Sequence, residues 1–235
     1  MLQKRVAIVQ SNYIPWKGYF DIINSVDEFI LFDDVQYTRR DWRNRNQIKT
    51  PAGLNWLTIP VEVKGKFDIP INLVKVADVS WARKHWVTLS QAYSKAPFFR
   101  LFSPVFENLY MDMQEVVLSQ INYMFIKAIN NLLGISTKIS WSTDYALPEG
   151  KNEKLAALCQ QAGATEYLSG PAARGYLDEL YFNSLGINVS WMDYSGYPEY
   201  HQLYPPFQHG VTILDLLFNE GPHAKNFMKS FRLSV

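Results

Sequence analysis

The sequence predicts an α/β fold: a three-layer sandwich around a mainly parallel sheet, with a small β insertion. Three observations carry this reading. Val6 to Val9 is a short apolar run between Arg5 and Gln10, the mark of a buried strand. Tyr19 to Val26 places Phe20, Ile22, Ile23 and Val26 at the spacing of a helix with one buried side. Phe29 to Phe32 is a second apolar run, closed by Asp33 and Asp34. Strand, turn, helix and strand within about thirty residues form a βαβ unit. The parallel, Rossmann-like sheet should therefore start at residue 5.

The later elements follow the same logic. Trp56 to Val63 and Ile71 to Val76 are alternating and β-branched, joined by a loop with Gly65 and Pro70. They are expected as an antiparallel insertion. Arg83 to Lys95 reads as a helix stopped before Pro97. Glu115 to Leu133 reads as a helix with Val116, Ile121, Met124, Phe125, Ala128, Ile129 and Leu132 on one face. Gly134 suits the left-handed position after it. From Lys151 the α/β rhythm resumes: helix Glu153 to Ala162, strand Glu166 to Ser169, helix Leu177 to Leu185, strand Ile187 to Met192. Residues 194–209 form a loop rich in Tyr and Pro, after which Thr212 is placed to cap a helix from Ile213 to Phe218. No repeat or linker divides the chain, so one domain is expected over residues 1–235.

Composition excludes several partners. The 235 residues carry a net charge of +1, so no global field draws the chain to nucleic acid or anionic membrane. No apolar run reaches membrane-spanning length and the first residues do not form a signal peptide, so a cytoplasmic location is expected. The single cysteine, Cys159, sits among Leu155, Ala156 and Leu158 as a buried small hydrophobe. No HxH, HExxH or cysteine cluster offers a metal site. Aromatics reach 15%, enough for both a core and flat ligand surfaces.

Four constellations could carry chemistry. The first is the turn after the first strand, from Gln10 to Tyr19, where Pro15 and Gly18 shape the chain. Tyr13, Trp16 and Tyr19 would supply an aromatic wall and Lys17 a charge; a plain tight turn with Trp16 buried is the alternative. The second is Arg39, Arg40, Arg43 and Arg45 with Asn44, opposed locally by Asp41. Guanidinium forks suit a diphosphate, whereas a solvated loop pairing with Asp33, Asp34 and Asp41 is the competing reading. The third is Lys84 and His85, His85 being a candidate proton acceptor or a core histidine. The fourth joins Ser169, Gly170 and Arg174 at a strand end with Lys151 and Asn152 after Gly150. No GxSxG surrounds Ser169, so it is not expected as a hydrolase nucleophile.

Several strings are distinctive together: VAIVQSNYIPWKGYFDII, DEFILFDDVQY, RRDWRNRNQIK, WLTIPV, RKHW, YLSGPAARGYLD and ILDLLFNEGP. They resemble the WbqC-like family, and the match covers nearly the whole chain. The resemblance implies a place in gene clusters for O-antigen and related surface polysaccharides that contain unusual amino sugars. It also implies a role in attaching glycine to a sugar amine. A remoter similarity links the opening to the nucleotidylyltransferase superfamily, whose HxGH histidines stabilise phosphate charge. Here WKGY puts Trp16 and Tyr19 at those positions, and neither can offer an imidazolium.

The expected function is therefore aminoacyl transfer, glycyl in the leading case, to the amine of a nucleotide-linked amino sugar. The arginine cluster would hold the diphosphate, Trp16 and Tyr19 would bound the sugar or base, and His85 would take the amine proton. The donor would be an amino acid, free or carrier-bound. The sequence names no cofactor and leaves ATP and thioester activation both open. A nucleotidylyltransferase and a non-catalytic sugar-nucleotide scaffold are the rival functions.

Overall fold

A computed structural model describes residues 3–232. In chain order the elements are β1 (Arg5–Val9), α1 (Lys17–Asn24), β2 (Glu28–Leu31), β3 (Arg45–Thr50), β4 (Gly53–Thr58), α2 (Ser80–Tyr93) and α3 (Phe99–Met111). There follow α4 (Leu118–Leu133), β5 (Lys138–Trp141), α5 (Lys151–Gln161), β6 (Glu166–Ser169), α6 (Glu179–Ser184), β7 (Asn188–Trp191) and α7 (Ile213–Glu220).

Five strands form a sheet in the order β5-β2-β1-β6-β7, every pair parallel. Counted along the sheet's own strands, this is the order 3-2-1-4-5. Alternation along each strand divides two cores. Ala7, Phe29, Leu31 and Leu168 face a large core with α1 and α4. Val6, Ile8, Ile30 and Tyr167 face a smaller one with α5 and α6. The three-layer α/β reading thus holds, and Cys159 is buried in the smaller core. The order reverses direction between β1 and β6, the place where such sheets open a crevice at their carboxyl ends.

Most of the aromatic excess goes into packing. Tyr13, Tyr93, Tyr110, Tyr167, Phe106, Phe125 and Phe218 are among the fully buried side chains. Tyr110 meets Phe125 at 4.8 Å between ring centroids, and Phe99 meets Phe218 at 5.0 Å. Gly134 takes the left-handed conformation after α4, at φ 64°, and Thr212 caps α7 through the Leu214 N–H.

The β insertion differs from the expected one. The hairpin pairs β3 with β4, so one of its strands comes from the end of the arginine-rich segment. Residues 71–73 make a 3-10 turn, and only an isolated bridge joins Val61 to Val76. In β3 the inward positions include Asn46, Ile48 and Lys49, so polar side chains occupy places that a hydrophobic pattern would mark as core.

Residues 194–209 lie over the first helix on a buried polar layer. The Tyr197 hydroxyl donates to Asp21 Oδ2 at 2.5 Å, and the Lys229 and Ser230 backbone N–H groups donate to the same carboxylate, each at 2.9 Å. The Tyr200 and Tyr93 hydroxyls donate to Asp215 at 2.7 and 2.9 Å. Lys49 Nζ donates to Gln202 Oε1 at 2.9 Å and to the Pro206 carbonyl at 2.6 Å. Lys17 Nζ donates to the Pro198 carbonyl at 3.1 Å and lies 4.9 Å from the Tyr197 ring centroid and 5.1 Å from that of Tyr200. Burial lowers the Lys17 pKa to about 8 against the opposing pull of Asp21 and raises that of Asp215 against the tyrosine hydrogen bonds.

Asp215→Ala should strand two buried hydroxyls and a nearby ammonium. A loss of about 3 kcal/mol or more is expected in denaturant unfolding, with faster hydrogen exchange confined first to residues 194–209.

Candidate functional site

The turn after β1 is built under constraint. Ile14 is β-branched yet has φ 36°, a conformation L-residues avoid. Buried Asn46 holds it there, its Nδ2 donating to the Tyr13 and Ile14 carbonyls at 3.1 and 2.8 Å. The Trp16 indole folds back over Gly18, where an added Cβ would lie 2.3 Å from it. Glycine at position 18 is therefore a condition for the placement of Trp16. Ser11 N donates to Asp33 Oδ1 at 2.8 Å, fixing the segment between Gln10 and Asn12 to the end of β2. Asp33 is buried, its Oδ2 lacks a partner among the described residues, and desolvation raises its pKa to about 6.

Two clefts flank that segment. The first, about 470 Å³, lies over the turn between Trp16, Trp42, Tyr194 and Tyr197, with Asn12, Asn46 and His209 as polar groups. Trp16 meets Tyr194 at 5.3 Å and Tyr197 at 5.6 Å between centroids. The pKa of His209 is lowered by desolvation and by Lys17, which favours the neutral imidazole. The second cleft, about 630 Å³, opens at the reversal point between β1 and β6. Gln10, Ser169, Gly170, Lys151 and Lys154 line it, and Tyr194 belongs to both clefts. Gly150, just before α5, supplies no side-chain cap, and Gly150 with Lys151 and Lys154 brings the start of α5 to the wall of this cleft.

Of the sequence-derived candidates, Trp16 lines the first cleft, and Gln10, Lys151, Ser169 and Gly170 line the second. Asn152 stands behind it, tying Tyr176 O (3.2 Å) and Asp178 N (3.0 Å) to the start of α5. Lys151 Nζ rests on the Tyr176 ring at 3.1 Å, and Arg174 lies over Trp191 at 5.2 Å. Tyr13 and Tyr19 are core residues: Tyr19 donates to the Gln10 carbonyl at 3.0 Å and packs on Phe29. Lys17 and Gly18 are buried beneath the turn.

The arginines do not converge. Arg39 donates to the Val63 carbonyl at 2.8 Å, Arg40 is exposed, and Arg43 turns inward to Asn12 Oδ1. Arg45 lies 4.1 Å from the Trp56 ring centroid and donates to the Arg40 carbonyl, while Asn44 is buried and donates to the Ile59 carbonyl at 2.8 Å. None of the four arginines lines either cleft, although Arg43 touches the first through Asn12. Lys84 is exposed on α2. His85 lines neither cleft. Its Nδ1 sits 2.9 Å from the Tyr13 hydroxyl, which meets the Tyr110 hydroxyl at 2.5 Å.

Residues 10–227 match the WbqC-like protein family. The chain belongs to that family. It is 52% identical over 229 residues to the uncharacterized protein Rv1507c of Mycobacterium tuberculosis, covering 97% of this chain and 99% of that one. No solved structure matches. No helix among the described residues is long and apolar enough to cross a membrane, and no group of three or more His, Cys, Asp or Glu side chains among them could hold a metal ion. In this family member the residues missed by sequence reasoning are Asn12, Asn46, Lys154, Tyr194, Tyr197 and His209, which the fold brings together from distant segments.

Burial holds the His85 pKa down to about 4, against 6.5 for a free histidine. The folded chain therefore binds fewer protons than the unfolded one between these values. The resulting stability is present above pH 6.5 and is lost as pH falls toward 4. Against His85→Gln, the wild type should lose on the order of 3 kcal/mol more over that range. Asp33 has the opposite slope, but it is common to both proteins and cancels in the difference. Urea titrations at stepped pH measure it.

Proposed function

We propose that the chain binds a nucleotide-linked amino sugar across the joined clefts and transfers an aminoacyl group, glycyl in the leading case, to the sugar amine. The pathway in this reading is surface-polysaccharide synthesis. The observation that carries the proposal is that a lysine-bearing crevice at the sheet's reversal point meets an aromatic-walled cleft at Tyr194. The first offers a diphosphate the ammonium groups of Lys151 and Lys154, the Ser169 hydroxyl and the α5 N-terminus. The exposed Glu153 carboxylate, which folds back beside Gly150, would swing out. The second offers a sugar ring flat faces at Trp16 and Tyr197, with amide groups at Asn12 and Asn46 for its hydroxyls.

In the step itself the amine lone pair attacks the acyl carbon of an activated donor. The C–N bond forms, the bond from acyl carbon to the leaving sulfur or oxygen breaks, and the leaving group keeps that electron pair. The nitrogen's surplus proton passes to His209, whose neutral state at pH 7 suits an acceptor. His85 has no part in this scheme, because its ring is enclosed by Tyr13, Trp81 and the Thr58 backbone.

Mass spectrometry after incubation with an amino-sugar nucleotide and a glycyl thioester is the test. An added glycyl mass supports the reading. A nucleotidyl mass from ATP would assign a nucleotidylyltransferase instead, and saturable binding without product would assign a scaffold.

Lys151→Ala with Lys154→Ala should weaken sugar-nucleotide binding at least tenfold with little change in melting temperature. His209→Gln should lower kcat by roughly 10²–10⁴-fold and leave that affinity nearly unchanged. Because no imidazole occupies position 16 or 19, glycine-dependent exchange of pyrophosphate into ATP should be absent. Glycine-dependent exchange by the wild type would overturn that expectation.

A further inference from the structure

The aromatic lining of the first cleft does not end at its mouth. Trp42, which lines the cleft, is 42% exposed and stands 5.4 Å from Trp56, centroid to centroid, at an interplanar angle of 39°. Trp56 projects from β4 and is itself 39% exposed. The Arg45 guanidinium covers one of its faces at 4.1 Å and uses only Nη2, toward the Arg40 carbonyl, in hydrogen bonds among the described residues. Arg40, whose carbonyl Arg45 holds, adds exposed positive charge, with Asp41 as the nearest opposing group in sequence.

Two half-exposed indoles in contact are costly to leave in water, and contiguous surface of this kind marks a ligand path. With the sugar and its diphosphate inside the clefts as proposed above, neither reaches Trp56 or Arg45, which line neither cleft. The pairing of flat apolar faces with unengaged guanidinium donors selects a planar ring that carries phosphate.

We propose that Trp42, Trp56 and Arg45, with Arg40, form a separate subsite for the nucleotide portion of the acyl donor, an adenine base bearing phosphates. The base stacks on the tryptophans, the phosphates engage Arg45 and Arg40, and the acyl arm passes Trp42 into the first cleft. The role of the subsite rests on the acyl-transfer reading above. Its existence does not.

Coenzyme A and ATP are each titrated calorimetrically into the wild type, Arg45→Gln and Trp56→Ala, with melting temperatures recorded. The titrations are repeated with the switch-point cleft saturated by an amino-sugar nucleotide. At least one probe should bind the wild type saturably, weaken tenfold or more in both variants, and bind equally well when the other cleft is filled. Tighter binding of coenzyme A identifies a thioester donor, and equal or tighter binding of ATP identifies an adenylate. Should Trp56→Ala fail to fold, Arg45→Gln carries the test alone. Absence of binding by either probe, binding unchanged in Arg45→Gln, or competition with the sugar nucleotide overturns the subsite. Failure of the sugar nucleotide to bind, with these effects intact, instead overturns the reading of the clefts.

Discussion

The burial of four charged side chains beneath one irregular loop is the constraint on which the site depends. Lys17, Asp21, Lys49 and Asp215 are all nearly inaccessible, and taking ionisable groups out of water is costly unless each finds hydrogen-bond partners. The partners come mostly from residues 194–209: the Tyr197 and Tyr200 hydroxyls, the Gln202 amide, and the Pro198 and Pro206 carbonyls. A loop without strand or helix thereby becomes a fixed wall. Because Tyr194, Tyr197 and His209 belong to that wall, the shape of both clefts follows from the satisfaction of those charges.

The opposite wall is set by a different device. The chain leaving β1 must place Asn12 and Trp16 at the surface while burying Tyr13 and Lys17 within a few residues. It does so through a positive φ at Ile14, paid for by two Asn46 hydrogen bonds, and through an indole laid over Gly18. Asn46 comes from β3, so the hairpin is part of the site's foundation. The same hairpin carries Trp56 and Arg45 to the cleft mouth.

β1 and β2 were legible because each is a short apolar run, as central strands buried on two faces should be, while β6 and β7 were marked by the turn glycines Gly170 and Gly186 beside them. β5 was not, since Lys-Ile-Ser-Trp at the sheet edge is half polar. α3 escaped notice because Pro104 lies inside it, and an interior proline ordinarily ends a helix. β3 was hidden for a physical reason: its inward Asn46 and Lys49 are buried by partners 32 or more residues away. At the site, Trp16, Gly18 and the Ser169-Gly170 strand end stood out from local sequence. Sequence placed a phosphate cradle on the arginines, yet their neighbours draw them apart, toward Val63, Asn12 and Trp56. His85 stood out because it lies in a recognisable string, and the structure buries it against Tyr13, whereas His209 gains its surroundings only when the Tyr-Pro loop folds near Lys17. Long-range pairings of this kind leave no periodic trace.

The central claim is that the two clefts act as one site joined at Tyr194. A crystal structure of the chain with a nucleotide-linked amino sugar tests it most directly. The account predicts continuous ligand density, with phosphates beside Lys151 and Lys154 and the sugar between Trp16 and Tyr197. Density confined to one cleft, or a ligand held outside both by the arginine segment, would contradict it.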